Sequence, residues 1–194
     1  MNKKIIFIML VAGFILACYG MAIYQSGQQI KKLHRLAQTA GPLGQRNKSQ
    51  NCQVRGSMPD PDCTPGAIFP EATKQEVCTS GYSKKVRKVS TKTKSQVYTS
   101  YGVTSHKTGE YEVDHFISLE LGGSNEMANL FPEAAEPKPG FHQKDEIENY
   151  LHEQLCAGHI SLKEAQALIG QKWLEVYRLL HLNFGQTLVE YFKP

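Results

Sequence analysis

Four side chains between residues 114 and 142 have the chemical types that hydrolysis of a phosphodiester requires. Asp114 and His115 are adjacent, and Asn129 and His142 follow them along the chain. Such a reaction needs a base for the attacking water and a cation that neutralises charge on the phosphate. His115 is a candidate base because an imidazole titrates near neutral pH. Asp114 and His142 are candidate ligands for a divalent metal that keeps positions open for water and phosphate oxygens.

The elements predicted around these residues form a strand–loop–strand–helix unit. Residues Tyr111–Ile117 alternate in polarity and are rich in β-formers, which indicates a strand. On a regular strand Asp114 and His115 point to opposite faces, so one can face a metal and the other a water molecule. Asn129–Pro132 is predicted as a second strand that its proline stops, and Phe141–Leu155 has helical spacing. The expected fold class is α+β.

Four further segments complete the secondary structure that the sequence predicts. Val86–Val89 is expected to be extended, and Thr93–Tyr101 to be a short helix that ends at Gly102. Ser161–Glu164 has the pattern of a capping box and should open a long helix with an apolar stripe. A short final helix is expected over about Gln186–Phe192.

In order and spacing, this stretch resembles the signature of the HNH endonucleases, the ββα-metal nucleases. The matching residues are Val113–Leu119, Gly122–Asn125, Asn129–Leu130 and His142. The wider chain resembles the small secreted bacterial HNH proteins at Thr64–Ala67, Cys78–Tyr82 and Leu155–Gly158. The resemblance covers roughly residues 63–177, and it departs from the commonest form because no zinc-binding cysteine pairs flank the motif.

The resemblance implies a role for each of the four residues. Asp114 and His142 would hold one divalent metal, and His115 would be the general base that activates water. Asn129 would hold the loop and orient the imidazole of His115. The implied metal is Mg²⁺ or Mn²⁺, with Zn²⁺ or Ni²⁺ as alternatives for a mixed nitrogen and oxygen site. The implied fold is a ββα-metal finger over about residues 111–156, with additional C-terminal helices and an N-terminal extension braced by disulfides.

The charges are distributed unevenly, although the formal net charge is only +4. No carboxylate lies between Glu76 and Glu110, where seven lysine and arginine residues are found. A basic segment beside an acidic, metal-capable one suits a polyanion, here DNA with RNA as the alternative. Arg87, Lys85 and Lys144 are the candidate phosphate contacts, with little sequence specificity expected. The competing interpretation is a solvated basic loop, or an ion pair between Arg87 and the acidic half.

The N-terminus has the pattern of a targeting or anchoring element over residues 1–24. Lys3 and Lys4 precede the apolar run Ile5–Ala17, as in the first two regions of a secretory signal. Retention is an alternative because Ile5–Ile23 is just long enough to span a membrane, and lipid on Cys18 is another. The protein is therefore expected to be exported, either periplasmic or secreted, with the membrane as a partner if this segment is retained.

The cysteines agree with export. Apart from Cys18, four remain, and an even number in an exported chain suggests two disulfides with three possible connectivities. We favour Cys52–Cys63, which closes a local loop, and Cys78–Cys156, which would tie the N-terminal part to the predicted helix. Residues 25–62 are expected to be a flexible tether, and residues 63–194 the nuclease domain.

Two other classes of function are compatible with the sequence. One is an exported nucleic-acid-binding or DNA-uptake factor whose metal site is not catalytic. The other is a structural envelope protein in which the motif only shapes the fold. The presence of all three residues, Asp114, His115 and His142, favours the enzyme over both of these alternatives. An inhibitory protein partner has no signature in the sequence.

Overall fold

The computed structural model describes the backbone of residues 3–191 and the side chains of residues 19–181. The fold is mixed α+β, with one two-stranded sheet among the described residues. Its helices are α1 (Lys3–Gln38), α2 (Lys74–Val77), α3 (Tyr82–Val86), α4 (Thr91–Ser100), α5 (Phe141–Cys156) and α6 (Leu162–Tyr191). The strands are β1 (Tyr111–His115) and β2 (Leu130–Ala134), and 3-10 turns cover Leu119–Leu121 and Met127–Asn129.

The two strands are antiparallel, and β2 runs through its proline instead of stopping there. Val113 lies opposite Pro132, and His115 lies opposite Leu130. Backbone hydrogen bonds on both sides of the Val113 pair join Phe116 to Asn129 and Ala135 to Glu110. Because hydrogen-bonded pairs alternate along an antiparallel ladder, the Val113–Pro132 pair is one that makes no ladder bonds. Pro132 therefore costs the sheet no hydrogen bond, which is why the predicted stop is wrong.

Helix α5 joins the strands to the core through its apolar face. Ile147, Leu151 and Leu155 are completely buried in one cluster with Trp173 of α6. Ser161 and Glu164 form the predicted capping box at the start of α6, with Ser161 N–H donating to Glu164 Oε2 at 2.8 Å and Glu164 N–H donating to Ser161 Oγ at 3.2 Å. The predicted polar face of α5 is exposed at His142, Asp145, Glu146 and Asn149.

The segment expected to be a flexible tether packs against the domain instead. Helix α1 continues to Gln38, and its Leu33 is completely buried in the main cluster. His34 Nδ1 lies 2.7 Å from Glu164 Oε1 on α6, and Gln171 exchanges two hydrogen bonds with the backbone of Gly41. The apolar residues near Leu33 recur at helical spacing, and burying them against α6 stabilises the helix.

Both favoured disulfides are present. Cys52 and Cys63 are joined with their Cα atoms 6.0 Å apart, and Cys78 and Cys156 are joined with theirs 5.6 Å apart. The second bond links the residue after α2 to the last residue of α5. Since disulfides persist in oxidising compartments, they are compatible with an extracellular or periplasmic protein.

Two predictions at the ends of the chain have different outcomes. The expected separate final helix is not separate, because the backbone of α6 is helical from Leu162 to Tyr191; Phe192 lies outside the described residues. The side chains of Ile5–Ala17 and of Cys18 also lie outside them. In the part of the chain that the structure describes, no helix is both long and apolar enough to cross a membrane.

Candidate active site

His115 ends β1 and is buried, with 2% of its surface exposed. Its Nε2 lies 3.2 Å from Oδ1 of Asn125, a residue of the loop between the strands. Its Nδ1 is buried without a hydrogen-bond partner among the described residues. Burial lowers the pKa of His115 to about 4, and the charges of Arg87 and Lys144 contribute, whereas Asn125 and Asp114 act in the opposite direction. The imidazole is therefore neutral at physiological pH, as a proton acceptor must be.

Asp114 faces the opposite side of β1 and is ion-paired with a lysine from α5. Lys144 is completely buried, and its Nζ donates to Asp114 Oδ2 at 2.6 Å and to the carbonyl oxygen of His115 at 2.9 Å. It also donates to Glu148 one turn later on α5, and lies 3.6 Å from Glu133 of β2. Lys144 was a candidate phosphate contact, but its ammonium group is completely buried and enclosed by carboxylates, so a phosphate cannot reach it in this arrangement.

The cluster around Lys144 holds three carboxyl groups and one ammonium group, an excess of negative groups that favours protonation of some of the carboxyl groups. Burial raises the pKa of Glu133 well above its usual value and that of Glu148 to about 7. Burial alone would also raise the pKa of Asp114, but the charge and hydrogen bond of Lys144 lower it on balance. Asp114 is thus the carboxyl group of the cluster whose pKa lies below its usual value, with Lys144 as its counter-ion, whereas the pKa of Glu148 lies near neutral pH.

His142 lies in the first turn of α5, where it is exposed and its ring centroid is 4.2 Å from that of Phe141. It is near the outer carboxylates of the site. Burial raises the pKa of Glu112, and the charges of Asp114 and Asp145 raise it further, while Lys144 and His142 lower it. Glu112 and Asp114 share one face of β1 because they are two residues apart. His142 is thus close enough for its charge to affect Glu112 and Asp145, but no hydrogen bond or ion pair joins it to Asp114 among the described contacts.

Asn129 is completely buried and ties the loop between the strands to β1. Its Oδ1 accepts from the N–H of Ile117 at 2.9 Å, and its Nδ2 donates to the carbonyl oxygens of Ile117 and Ser124, both at 2.9 Å. This agrees with the expected role in holding the loop. Asn129 was also expected to orient the imidazole of His115, but the residue that is hydrogen-bonded to the imidazole is Asn125. The glycine pair that precedes Ser124 and Asn125 indicates this loop in the sequence. Gly123 is required there because a Cβ would lie 1.7 Å from the Ile117 oxygen.

The two other candidate phosphate contacts lie on the basic segment. Arg87 and Lys85 are both exposed, and Arg87 is close enough to His115 for its charge to lower the pKa of the imidazole. Hydrogen bonds from Thr73 lower the pKa of Glu76, and the charge of Lys85 lowers it further by a smaller amount. Arg87 follows α3 in an extended conformation, but Val86, which was expected to be extended with it, is the last residue of this unpredicted helix.

A second group of metal-capable atoms lies at the disulfide between α2 and α5. Cys78, His152 and Cys156 form the only group of three or more such side chains, among those the structure describes, with ligand atoms within 4.8 Å of one another. The two sulfurs are bonded to each other. His152 Nε2 lies 3.0 Å from the Val77 carbonyl oxygen and 3.5 Å from Cys156 Sγ. As long as the disulfide is intact, this group has no thiolate to offer a metal.

Comparisons of this chain with protein-family models, curated proteins and solved structures found no match.

Proposed function

We propose that the protein is a metal-dependent endonuclease that hydrolyses phosphodiester bonds, with β1, β2 and α5 as a ββα-metal finger. One observation carries the proposal: a neutral, buried imidazole, His115, adjoins an ionised carboxylate, Asp114, on one strand and an exposed guanidinium, Arg87, on the neighbouring segment. Hydrolysis of a phosphodiester needs a proton acceptor, a centre for a cation and a group that binds phosphate. The resemblance to HNH endonucleases agrees with this assignment of roles.

The residues on the acidic side have the donor types for a divalent metal, although among the described side chains no three of their ligand atoms lie within 4.8 Å of one another. The pKa of Glu112 is raised by its burial and by the charges of Asp114 and Asp145, a repulsion that a cation drawing these carboxylates together would relieve. His142 adds an imidazole nitrogen beside them. Oxygen donors with a single nitrogen suit Mg²⁺ or Mn²⁺. Asp114 and His142 would hold the ion, which when bound would stabilise the charge that grows on the phosphate and the leaving oxygen.

The other residues of the site have separate roles in the proposed reaction. His115 accepts a proton from the attacking water, for which it must be neutral. Arg87 binds a phosphate oxygen, a contact for which a planar guanidinium is suited. Lys144 does not reach the substrate; it fixes Asp114 and the carbonyl oxygen of His115 in one position. Because these contacts are to phosphate and not to bases, little sequence preference is expected.

A cleavage assay tests the proposal. Supercoiled plasmid is incubated with the protein and with Mg²⁺, Mn²⁺ or EDTA, and nicked and linear forms are quantified. Parent protein should cleave with metal and not with EDTA. His115→Ala should lose activity by at least about 100-fold, as expected for removal of a general base. His159→Ala is the matched control, because His159 is exposed and bonded only to Gln154 of its own helix end among the contacts described. Equal cleavage by both variants would refute the proposal.

The ion pair of Asp114 with Lys144 favours a second candidate function. It compensates the charge of Asp114 without a metal. A nucleic-acid-binding or uptake factor would keep the basic segment and need no metal at Asp114. Such a protein would retard plasmid in a gel in the presence of EDTA and leave it uncut with every metal.

A further inference from the structure

We propose that Asn125 is a positioning residue for His115: it holds the proton of the imidazole on Nε2 and leaves Nδ1 as the atom that accepts a proton from water. This inference rests on the proposed function and extends it to a residue outside the four that the sequence motif supplies. It follows from the hydrogen bonds of the Asn125 amide, which lies in the loop between β1 and β2.

The orientation of the Asn125 amide is fixed by two backbone groups of the basic segment. Its Oδ1 accepts from the N–H of Lys88 at 3.1 Å, and its Nδ2 donates to the carbonyl oxygen of Val86 at 2.9 Å. Rotating the amide by half a turn would bring its NH₂ group against an N–H and its oxygen against a carbonyl oxygen. Both contacts would be repulsive, so the observed orientation is the only one that satisfies both backbone groups.

That orientation decides the tautomer of His115. The atom facing the ring is Oδ1 of Asn125, which lies 3.2 Å from Nε2 and can only accept a hydrogen bond. Nε2 must therefore carry the proton and donate. In a neutral imidazole the other nitrogen, Nδ1, then has the free lone pair. Nδ1 is the buried ring nitrogen that has no partner among the described residues.

An unpartnered buried acceptor is costly, so its presence in this position suggests a partner that arrives with the substrate. Nδ1 is closed to solvent in this arrangement, so a water reaches it only if the side chains around the ring shift when substrate binds. That water would donate to Nδ1 and be placed for deprotonation. The charges of Asp114 and Arg87, the proposed metal ligand and phosphate contact, both act on this imidazole. By accepting the hydrogen bond from Nε2, Asn125 thus makes Nδ1 the nitrogen that accepts the proton.

Asn125 also links the base to the phosphate-binding arginine. Val86 and Lys88, whose backbone groups hold the amide, are the two neighbours of Arg87 along the chain. A single amide therefore fixes the backbone on both sides of Arg87 and the imidazole of His115 in one arrangement. Loss of the amide should disturb the ring and the arginine together.

The tautomer is measured by two-bond ¹⁵N–¹H correlation spectra of the full chain labelled with ¹⁵N-histidine, which distinguish protonated from unprotonated ring nitrogens. The chain has seven histidines, and His115 is assigned by the signal that is lost in His115→Ala. In the parent, His115 should be protonated at Nε2 alone. A parent spectrum with the proton on Nδ1 would overturn the inference, whether or not the Asn125 variants fold.

Three variants test the role of the amide. Asn125→Ala should give a mixture of tautomers and lower kcat by about 10- to 100-fold, as for other groups that orient a functional imidazole, with KM changed much less. Asn125→Asp keeps an oxygen acceptor for Nε2 and should favour the Nε2–H tautomer, but its second oxygen faces the Val86 carbonyl oxygen, so kcat should recover only in part. Asn149→Ala, on the exposed face of α5, is the control and should match the parent. An unchanged His115 spectrum in a folded Asn125→Ala protein would refute the positioning role.

The spectra and the cleavage assay can fail independently. Protonation at Nε2 in a protein that cuts no plasmid would support the role of Asn125 and refute the proposed function. Cleavage that depends on His115, in a protein whose His115 is protonated at Nδ1, would support the proposed function and refute the role of Asn125.

Discussion

Replacing Lys144 with methionine should destabilise the protein strongly, because the ammonium is the only buried cation among the carboxyl groups of Asp114, Glu133 and Glu148 in the described structure. Removing one partner of a buried ion pair costs about 3–5 kcal/mol, since the charge that is left has neither partner nor water. That is a large part of the roughly 5–15 kcal/mol by which domains are stable. For a chain of this length it corresponds to a fall in Tm of roughly 6–20 °C.

The loss from Lys144→Met should depend on pH in a defined direction. Without the ammonium, the pKa values of the buried carboxyl groups in the folded state rise above those in the unfolded chain. A group whose pKa is raised on folding favours the folded state at low pH and opposes it as pH rises. The variant should therefore be closest to the parent near pH 5 and lose most of its stability by pH 8.

Denaturant unfolding at pH 5 and pH 8, with the disulfides intact, measures these changes. Lys163→Met, at an exposed position of α6, is the control and should change stability by less than about 0.5 kcal/mol. Glu148→Gln added to Lys144→Met should recover part of the loss, because it removes one of the uncompensated carboxylates. If Lys144→Met lies within about 1 kcal/mol of the parent at pH 8, the reasoning about the buried cluster is wrong.

Three other predictions concern the base, the loop and the second disulfide. The pKa of His115 is lowered to about 4, so cleavage should lose activity on acidification near that pH and not near 6.5, as a pH–rate profile of kcat/KM would reveal. Asn129→Ala leaves the backbone groups of the loop unpaired and should cost about 1–3 kcal/mol in denaturant unfolding, whereas Asn149→Ala should cost little. Replacing Cys78 and Cys156 together by serine should cost about 2–5 kcal/mol, and a Tm equal to that of the parent would contradict this.

Local pattern was sufficient for much of the fold. The alternation of β1, the helical spacing of α5 and the capping box of Ser161 and Glu164 involve residues at most a few positions apart, so the sequence contains the whole signal. The even number of cysteines in a chain with an export-like N-terminus led to the observed disulfides. The prediction that Pro132 stops β2 was wrong because the cost of its missing N–H depends on whether that position faces the partner strand. The register of strand pairing, which the local sequence does not contain, determines this.

The candidate site divides in the same way. The sequence by itself brought Asp114 and His115 to one strand, Asn129 to the end of the loop and His142 to the start of a helix, because their spacing is local. Only the tertiary structure decided what these groups contact. Lys144 is separated from Asp114 by 30 positions, and Asn125 from Val86 by 39, yet these pairs set the charge of the carboxylate and the orientation of the amide that faces the base. A lysine on a helix or an asparagine after two glycines has many possible environments, and burial with specific partners selects one of them.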